Sequence, residues 1–163
     1  ADWYGGALLG APGLGDEFIR SIVDWDERLR HNELVVGVTL DGHHRAYPIA
    51  TLFAEGGVVN DALTETPIVV FTDASSAFSS AFSRELNGET LEFENVAEDG
   101  LRIVDRQTGS TWNFEGRATG GPLAGQRLAF VTSFLTEWYG WSAYHLKTEI
   151  FGATGDGSPA GDP

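Results

Sequence analysis

Residues 33–48 read ELVVGVTLDGHHRAYP, and this stretch decides the fold class. The β-branched run up to Leu40 indicates a strand, and Asp41-Gly42 is a tight-turn signal between two strands. The residues after the turn, up to Tyr47, return as the partner strand. Pro48 then favours a short helical turn over 49–54, because proline suits the start of a helix. The sequence therefore predicts an antiparallel hairpin that runs into a short helix.

The same signals recur along the chain. Residues 67–72 (PIVVFT) are typical of a buried strand. A hairpin over 82–94 turns at Asn87-Gly88, and another over 101–114 turns at Gln107–Gly109. We therefore expect about eight to nine strands, most of them antiparallel.

Two helices complete the prediction. Residues 16–30 place apolar side chains at helical spacing, with acidic residues in the first turn and arginines in the last. Residues 136–145 carry Trp138 and Trp141 three positions apart, which indicates a short helix. The expected fold class is α+β, with a single domain over 16–151, an apolar glycine-rich arm over 1–15 and a flexible polar tail over 152–163.

Composition excludes several functional classes. The 163 residues contain neither Cys nor Met, which rules out disulfides, thiolate metal sites and cysteine nucleophiles. The net charge of −14 disfavours nucleic acid and anionic lipid as partners, and no apolar run is long enough to insert into a membrane. Only one of the ten basic residues is lysine. Such a surface is typical of halophilic proteins, and a GC-rich genome explains the lack of lysine equally well.

The sequence starts at Ala1 rather than at a methionine and shows no basic-then-apolar signal segment. We expect either that a targeting segment has been removed or that the chain is a fragment of a longer protein.

A series of short motifs, in a fixed order, carries a family resemblance. From about residue 33 to 151 the chain resembles the bacterial and archaeal family DUF3179, a domain of unknown function. The matching motifs are Gly37-Val38, Asp41-Gly42, Arg45–Pro48, Val59–Asp61, Pro67–Val70, Asn87-Gly88, Leu91–Phe93, Asp105–Ser110 with Trp112, Gly116, Gly121–Leu128 and Trp138–Trp141. The resemblance implies an exported or membrane-tethered protein without a settled activity.

The departures from the family pattern concern its reactive side chains. Typical members carry Cys-Pro-x-Cys where this chain has residues 73–76 (DASS), and His-Glu where it has Gly56 and Gly57. A methionine common in the family is Ile103 here. Thiols, imidazole and thioether together would suit a soft metal such as copper, or thiol redox chemistry. This chain has none of them at those positions, so we expect no metal and no cofactor.

Four charged residues inside the family-like motifs are the main candidate site: Arg45, Asp61, Asp105 and Arg106. A structural ion-pair network is the favoured interpretation. Binding of an anionic ligand by an arginine is the second, and catalysis the third.

Other polar and aromatic residues are weaker candidates. Asp73, Ser75 and Ser76 offer oxygen ligands for a hard cation, although a hydrated turn explains them better. His43 and His44 are adjacent in a strand and so point to opposite faces, and His145 has no evident partner. We expect Trp138 and Trp141 to form a packed helix face rather than a binding platform.

The arm supplies the candidate contact residues Trp3, Tyr4, Leu8 and Leu9, which are too apolar for a free tail. They would either fold back on their own domain or dock on a neighbour. The favoured function is a secreted, non-catalytic structural or interaction domain with protein partners or copies of itself. A copper-type or redox-associated protein, and an enzyme acting on a small anionic substrate, remain as alternatives.

Overall fold

The computed structural model describes residues 28–152 with the exceptions of 31 and 77. The arm over 1–15, residues 16–27 of the predicted first helix, and residues 153–163 of the predicted tail therefore lie outside the described residues. Residues 28–30, at the end of that predicted helix, form a turn and a bend.

The described chain contains two helices and fourteen strands. The helices are α1 (Ile49–Ala54) and α2 (Trp138–Tyr144). The strands are β1 (Leu34–Leu40), β2 (His43–Pro48), β3 (Val58–Leu63), β4 (Thr66–Asp73), β5 (Phe78–Ser83), β6 (Glu85–Leu86), β7 (Glu89–Thr90), β8 (Phe93–Asn95), β9 (Ile103–Asp105), β10 (Thr111–Trp112), β11 (Ala118–Gly120), β12 (Phe130–Val131), β13 (Ser133–Glu137) and β14 (Glu149–Ile150).

Three four-stranded sheets form successive layers. The first sheet has the order β13-β1-β2-β14, the middle sheet β12-β5-β4-β3 and the third sheet β11-β10-β9-β8, while β6 and β7 form a small separate hairpin. All described pairs of named strands are antiparallel except β14 with β2, which is parallel. The fold is thus largely β, with mostly antiparallel sheets and few helices.

The opening hairpin forms as predicted. Strand β1 pairs with β2 from Val35 opposite Pro48 to Leu40 opposite His43. Asp41 and Gly42 both have positive φ, 52° and 79°, which is the requirement of a type I′ turn and explains the Asp-Gly pair. The helix predicted over 49–54 also lies where expected.

Strand β4 explains how the layers hold together. Ile68 and Val70 belong to the core between the first and middle sheets, which also contains Leu52 of α1. Val69 and Phe71, which alternate with them, belong to the core between the middle and third sheets. Because both faces of β4 are covered, its sequence is continuously apolar rather than alternating. The prediction of a buried strand at this position is confirmed.

The predicted number of strands was too low. In the hairpin expected over 82–94, Glu85–Leu86 pairs with Glu89–Thr90 across the Asn87-Gly88 turn, and the Leu91 N–H donates to the Arg84 carbonyl at 2.9 Å, which extends the pairing by one residue on each side. Phe82 lies in β5 of the middle sheet, and Phe93 lies in β8 of the third sheet. The helix predicted over 136–145 is also shorter, because residues 136 and 137 end strand β13. Strand breaks of this kind divide the eight or nine expected strands into fourteen.

The longer of the two described helices has seven residues, so no helix in the described part of the chain is long and apolar enough to cross a membrane.

Candidate functional site

The positions at which the resemblance places reactive side chains come together in one open cleft. The turn after α1, which contains Gly56 and Gly57, lies on one side. The end of β4, with Asp73 and Ser75, lies on another, and the loop between β8 and β9 completes the lining. The cleft has a volume of about 530 Å³. Separate segments of the family pattern therefore meet in space, which the sequence alone did not show.

In this chain the β4 side of the cleft is a self-contained polar turn. The Asp73 carboxylate accepts hydrogen bonds from the Ser75 hydroxyl at 2.9 Å and from the Ser76 hydroxyl at 3.0 Å. The Ser75 backbone N–H also donates to it at 3.2 Å. The hydrogen bonds from Ser75 lower the pKa of Asp73 below its ordinary value. The geometry is that of the Asx-type turn expected from the sequence.

The opposite side of the cleft requires glycine. Gly57 has a φ of 88°, and a Cβ at this position would lie 2.5 Å from the Thr72 carbonyl oxygen. The Gly57 carbonyl accepts a hydrogen bond from Thr72 N–H at 2.8 Å, which ties the turn to β4. A larger residue at position 57 would have to displace this contact. Ile103, at the methionine position of the family, lies beside the cleft and is 3% exposed.

Arg45 and Asp61, two of the four charged candidates, are in direct contact. Arg45 on β2 donates to the Asp61 carboxylate at 2.7 Å and to the Ala62 carbonyl at 2.9 Å. Its Nε donates to Glu149 on β14 at 2.8 Å, and its Nη2 also contacts that carboxylate. Tyr47 donates its hydroxyl to the same Asp61 oxygen at 2.8 Å. This network joins the first and middle sheets.

The network shifts the pKa of two of its members, Arg45 and Tyr47. Burial by itself would lower the pKa of the Arg45 guanidinium, but the hydrogen bonds to Glu149 and Asp61 outweigh it and raise that pKa. Burial raises the pKa of Tyr47, and the adjacent Asp61 carboxylate raises it further. Both shifts favour the forms seen here, Arg45 as a cation and Tyr47 as a neutral hydrogen-bond donor.

Replacing Asp61 by alanine should lower the free energy of unfolding by about 2 kcal/mol, because Arg45 and Tyr47 would both lose an acceptor in a half-buried site. The matched control is Glu92→Ala, which removes a carboxylate from an ion pair with Arg106 that is about half exposed on both sides. That change should cost less than about 0.5 kcal/mol. Urea unfolding measures both, and equal losses would show that the Asp61 network adds nothing beyond a surface pair.

Asp105, whose side chain is fully buried, belongs to a different cluster. Its carboxylate accepts from Thr108 N–H at 2.6 Å, from the Thr108 hydroxyl at 2.8 Å and from Trp112 Nε1 at 2.9 Å. The Thr108 hydroxyl in turn contacts the Ser110 hydroxyl at 2.7 Å, and Ser110 accepts from Leu123 N–H at 2.9 Å. Asp105 therefore organises the turn between β9 and β10 from the inside.

Arg106 points to the surface instead. Its guanidinium lies 3.1 Å from Glu92 and 3.5 Å from Glu94, and its side chain is 55% exposed. The four charged candidates thus fall into three places: an inter-sheet network, a buried turn and a surface ion pair. The structure does not bring them together as one site.

The aromatic helix α2 packs as expected. Trp138 and Trp141 are buried against Val35, Ala46 and Ile150, whereas Tyr144 is 85% exposed. His145 stacks on His44 with ring centroids 3.9 Å apart, a contact that the sequence did not suggest. Burial, and to a smaller extent the neighbouring His44, lowers the pKa of His145. Among the described residues, no three His, Asp or Glu side chains are grouped closely enough to hold a metal ion.

Two further polar residues were missed by the sequence analysis. Arg84 donates to three backbone carbonyls, those of Ile68, Leu91 and Asp61, each at 2.8 to 2.9 Å. The Asn60 side chain pairs with both the N–H and the carbonyl of Phe93, as a neighbouring strand would. Asn60 is part of the family-like Val59–Asp61 motif, which was its only signal.

Residues 15–148 match a family model described as "Protein of unknown function (DUF3179)", which spans most of the chain. The chain belongs to the DUF3179 family. No curated protein and no solved structure matches it. Several DUF3179-like motifs now have physical roles in this chain. Asp105–Ser110 forms the buried turn, Asn60 and Asp61 join neighbouring layers, and Trp138 and Trp141 cover the first sheet.

Proposed function

We propose that this DUF3179 chain is a non-catalytic structural or interaction domain that acts outside the cytoplasm, as a subunit of a larger or homo-oligomeric assembly. One observation carries the proposal. The cleft where the family pattern would place thiols and an imidazole is lined here by Gly56, Gly57, Asp73 and Ser75. Such side chains offer neither soft metal ligands nor thiol redox chemistry.

The hydrogen bonds of Arg45 also support a non-catalytic role. Its guanidinium makes hydrogen bonds to two carboxylates and one backbone carbonyl. An anionic substrate would have to displace Asp61 or Glu149 to reach it, and would then face the carboxylate it displaced. This arrangement favours a structural role over the alternative of an enzyme acting on a small anion.

Exposed sheet edges support an assembly role. β12 is one of the two edge strands of the middle sheet, and β13 is one of the two edge strands of the first sheet. They expose Phe130 by 61% and Leu135 by 39%. An apolar edge strand presents unpaired backbone groups to another chain. The net charge of −14 opposes association, and salt screens that repulsion.

An extracytoplasmic location rests on the family resemblance, since typical members are exported or membrane-tethered.

Copper binding distinguishes the proposal from its metal-binding alternative. Elemental analysis of the purified chain after incubation with Cu(I) should find less than about 0.1 copper per chain, because the cleft lining contains no thiolate, thioether or imidazole. The matched variant combines Asp73→Cys with Ser76→Cys and should gain copper. Stoichiometric copper in the unmodified chain would overturn the proposal in favour of a metal-binding protein.

Light scattering at about 0.05 M and about 2 M NaCl tests assembly, since the higher salt shortens the Debye length to a few ångströms. We expect a larger mass at high salt, and a return to monomer when Phe130 and Leu135 are both replaced by lysine. A strict monomer in both salts would contradict the assembly role while leaving the copper result unaffected.

A further inference from the structure

An apolar groove lies on the outer side of the first sheet, away from the cleft. Phe134 of β13 and Tyr144 of α2 form its walls, and Trp141 forms its floor. Thr136, Gly140 and His145 complete the lining, and the volume is about 350 Å³. Phe134 is 51% exposed and Tyr144 85% exposed, so two large apolar surfaces face solvent here.

The chemistry of the groove differs from that of the cleft. None of its six lining residues is acidic, whereas the cleft is lined by Asp73, Glu98 and Asp99. The aromatic rings are also fixed in place. Phe134 meets Trp141 edge-on at 5.7 Å, and Trp141 donates from Nε1 to the Thr148 hydroxyl at 2.8 Å. A rigid, uncharged aromatic surface suits an apolar segment of low charge.

The described part of the chain begins, at Arg28, next to this groove. The Arg28 guanidinium lies over the Trp138 ring at 5.5 Å and donates to the Thr148 carbonyl at 2.9 Å. Leu29 packs against the cluster that contains both Trp138 and Trp141. Trp141 belongs to this cluster and also forms the floor of the groove. Residues 1–27 therefore connect to the described chain at a cluster that adjoins the groove.

Residues 1–15 have the composition that the groove would accept. They include Trp3, Tyr4, Leu8 and Leu9, and their only charged side chain is Asp2. Most of this segment also lies outside the family match, which begins at residue 15. A helix over 16–27 would span about 18 Å, and fifteen extended residues reach up to about 50 Å further, so the length is sufficient.

We propose that residues 1–15 of the same molecule occupy this groove, with their aromatic and leucine side chains against Phe134, Trp141 and Tyr144. The covalent connection between residues 1–15 and the domain favours docking within the same molecule over docking on a second copy. A segment linked to its site through a short connection has an effective concentration in the millimolar range, well above that of a second chain in dilute solution. The inference does not require the proposed assembly role, which is argued from Phe130 and Leu135, although strand β13 contributes residues to both surfaces.

Engineered disulfides test the docking directly, because the chain has no cysteine of its own. Tyr144→Cys is combined in turn with Trp3→Cys, Tyr4→Cys, Leu8→Cys or Leu9→Cys in the full chain. The control series pairs the same arm positions with Phe130→Cys, an exposed phenylalanine on β12. At least one Tyr144 pair should oxidise to an intramolecular disulfide at least about tenfold faster than its control, as effective concentration requires.

Non-reducing electrophoresis with mass spectrometry separates the outcomes. A covalent dimer would place the arm on a second copy and overturn docking within one molecule. Equal rates in the two series, or no disulfide in either, would show that the groove does not hold the arm. Hydrogen exchange of the unmodified chain is the second measurement. Amides of 3–9 should exchange at least about tenfold more slowly than in an unfolded peptide, independently of protein concentration.

Discussion

Asp105→Ala should destabilise the fold by about 4 kcal/mol. The carboxylate is completely buried and accepts hydrogen bonds from Thr108 and Trp112. Alanine would leave the buried Trp112 indole N–H and the partly buried Thr108 N–H without their acceptor. A buried unsatisfied donor costs about 1–3 kcal/mol. Trp112 also packs edge-on against Phe93 at 5.5 Å, so the loss would reach the core beneath the third sheet.

Two further variants make this prediction specific. Asp105→Asn keeps the volume and one acceptor oxygen, and should lose about half as much as alanine. Asp99→Ala removes an exposed carboxylate from the neighbouring loop, and should change stability by less than about 0.5 kcal/mol. Urea unfolding followed by tryptophan fluorescence measures all three. A loss below about 1 kcal/mol for Asp105→Ala would show that water replaces the carboxylate, against the closed packing described above.

Gly37→Ala should cost about 3 kcal/mol, the upper part of the range for overpacking a closed core. A Cβ at position 37 would lie 2.2 Å from Cζ3 of Trp141 and 2.3 Å from Cε3. Trp141 is 2% exposed and its indole N–H is held by Thr148, so the ring cannot move aside without breaking that bond. Glycine weakens most strands, and here it is present because the indole lies directly on the backbone of β1.

Gly140→Ala is the control for this change. Position 140 lies within α2, and the nearest atom to an added Cβ is the Thr136 hydroxyl at 3.9 Å. Alanine should therefore stabilise the helix, by up to about 1 kcal/mol. Thermal or urea unfolding of the two variants should shift in opposite directions. Similar shifts would mean that α2 moves away from β1 freely, and that Trp141 does not fix their separation.

The elements predicted correctly from the sequence are those specified by neighbouring residues. The Asp41-Gly42 turn, the helix after Pro48 and the buried strand at 67–72 each have a local cause, namely positive φ, a fixed proline φ and a continuous apolar run. The hairpin over 82–94 was predicted only in part. Its turn was correct because Asn-Gly determines it, but Phe82 pairs with β4 and β12 of the middle sheet, whereas Phe93 pairs with β9 of the third sheet.

The grouping of the candidate-site residues was also predicted only in part. Arg45 and Asp61 were grouped correctly, and they meet because β2 and β3 face each other across the first core. Asp105 and Arg106 were grouped with them, although neighbouring residues of an extended chain point to opposite sides. That alternation predicts that Asp105 and Arg106 face opposite sides, and in the structure Asp105 is buried while Arg106 is exposed. The contacts of Arg84 carry no sequence signal at all, because backbone carbonyls accept hydrogen bonds whatever residue they belong to.

The double-sided burial of β4 has a consequence for how the molecule comes apart. Alternate side chains of this one strand serve two cores, so neither core can open while the other stays intact. The layers should therefore melt in a single cooperative step rather than peel away in sequence, and damage at either end of the stack lowers the stability of the whole.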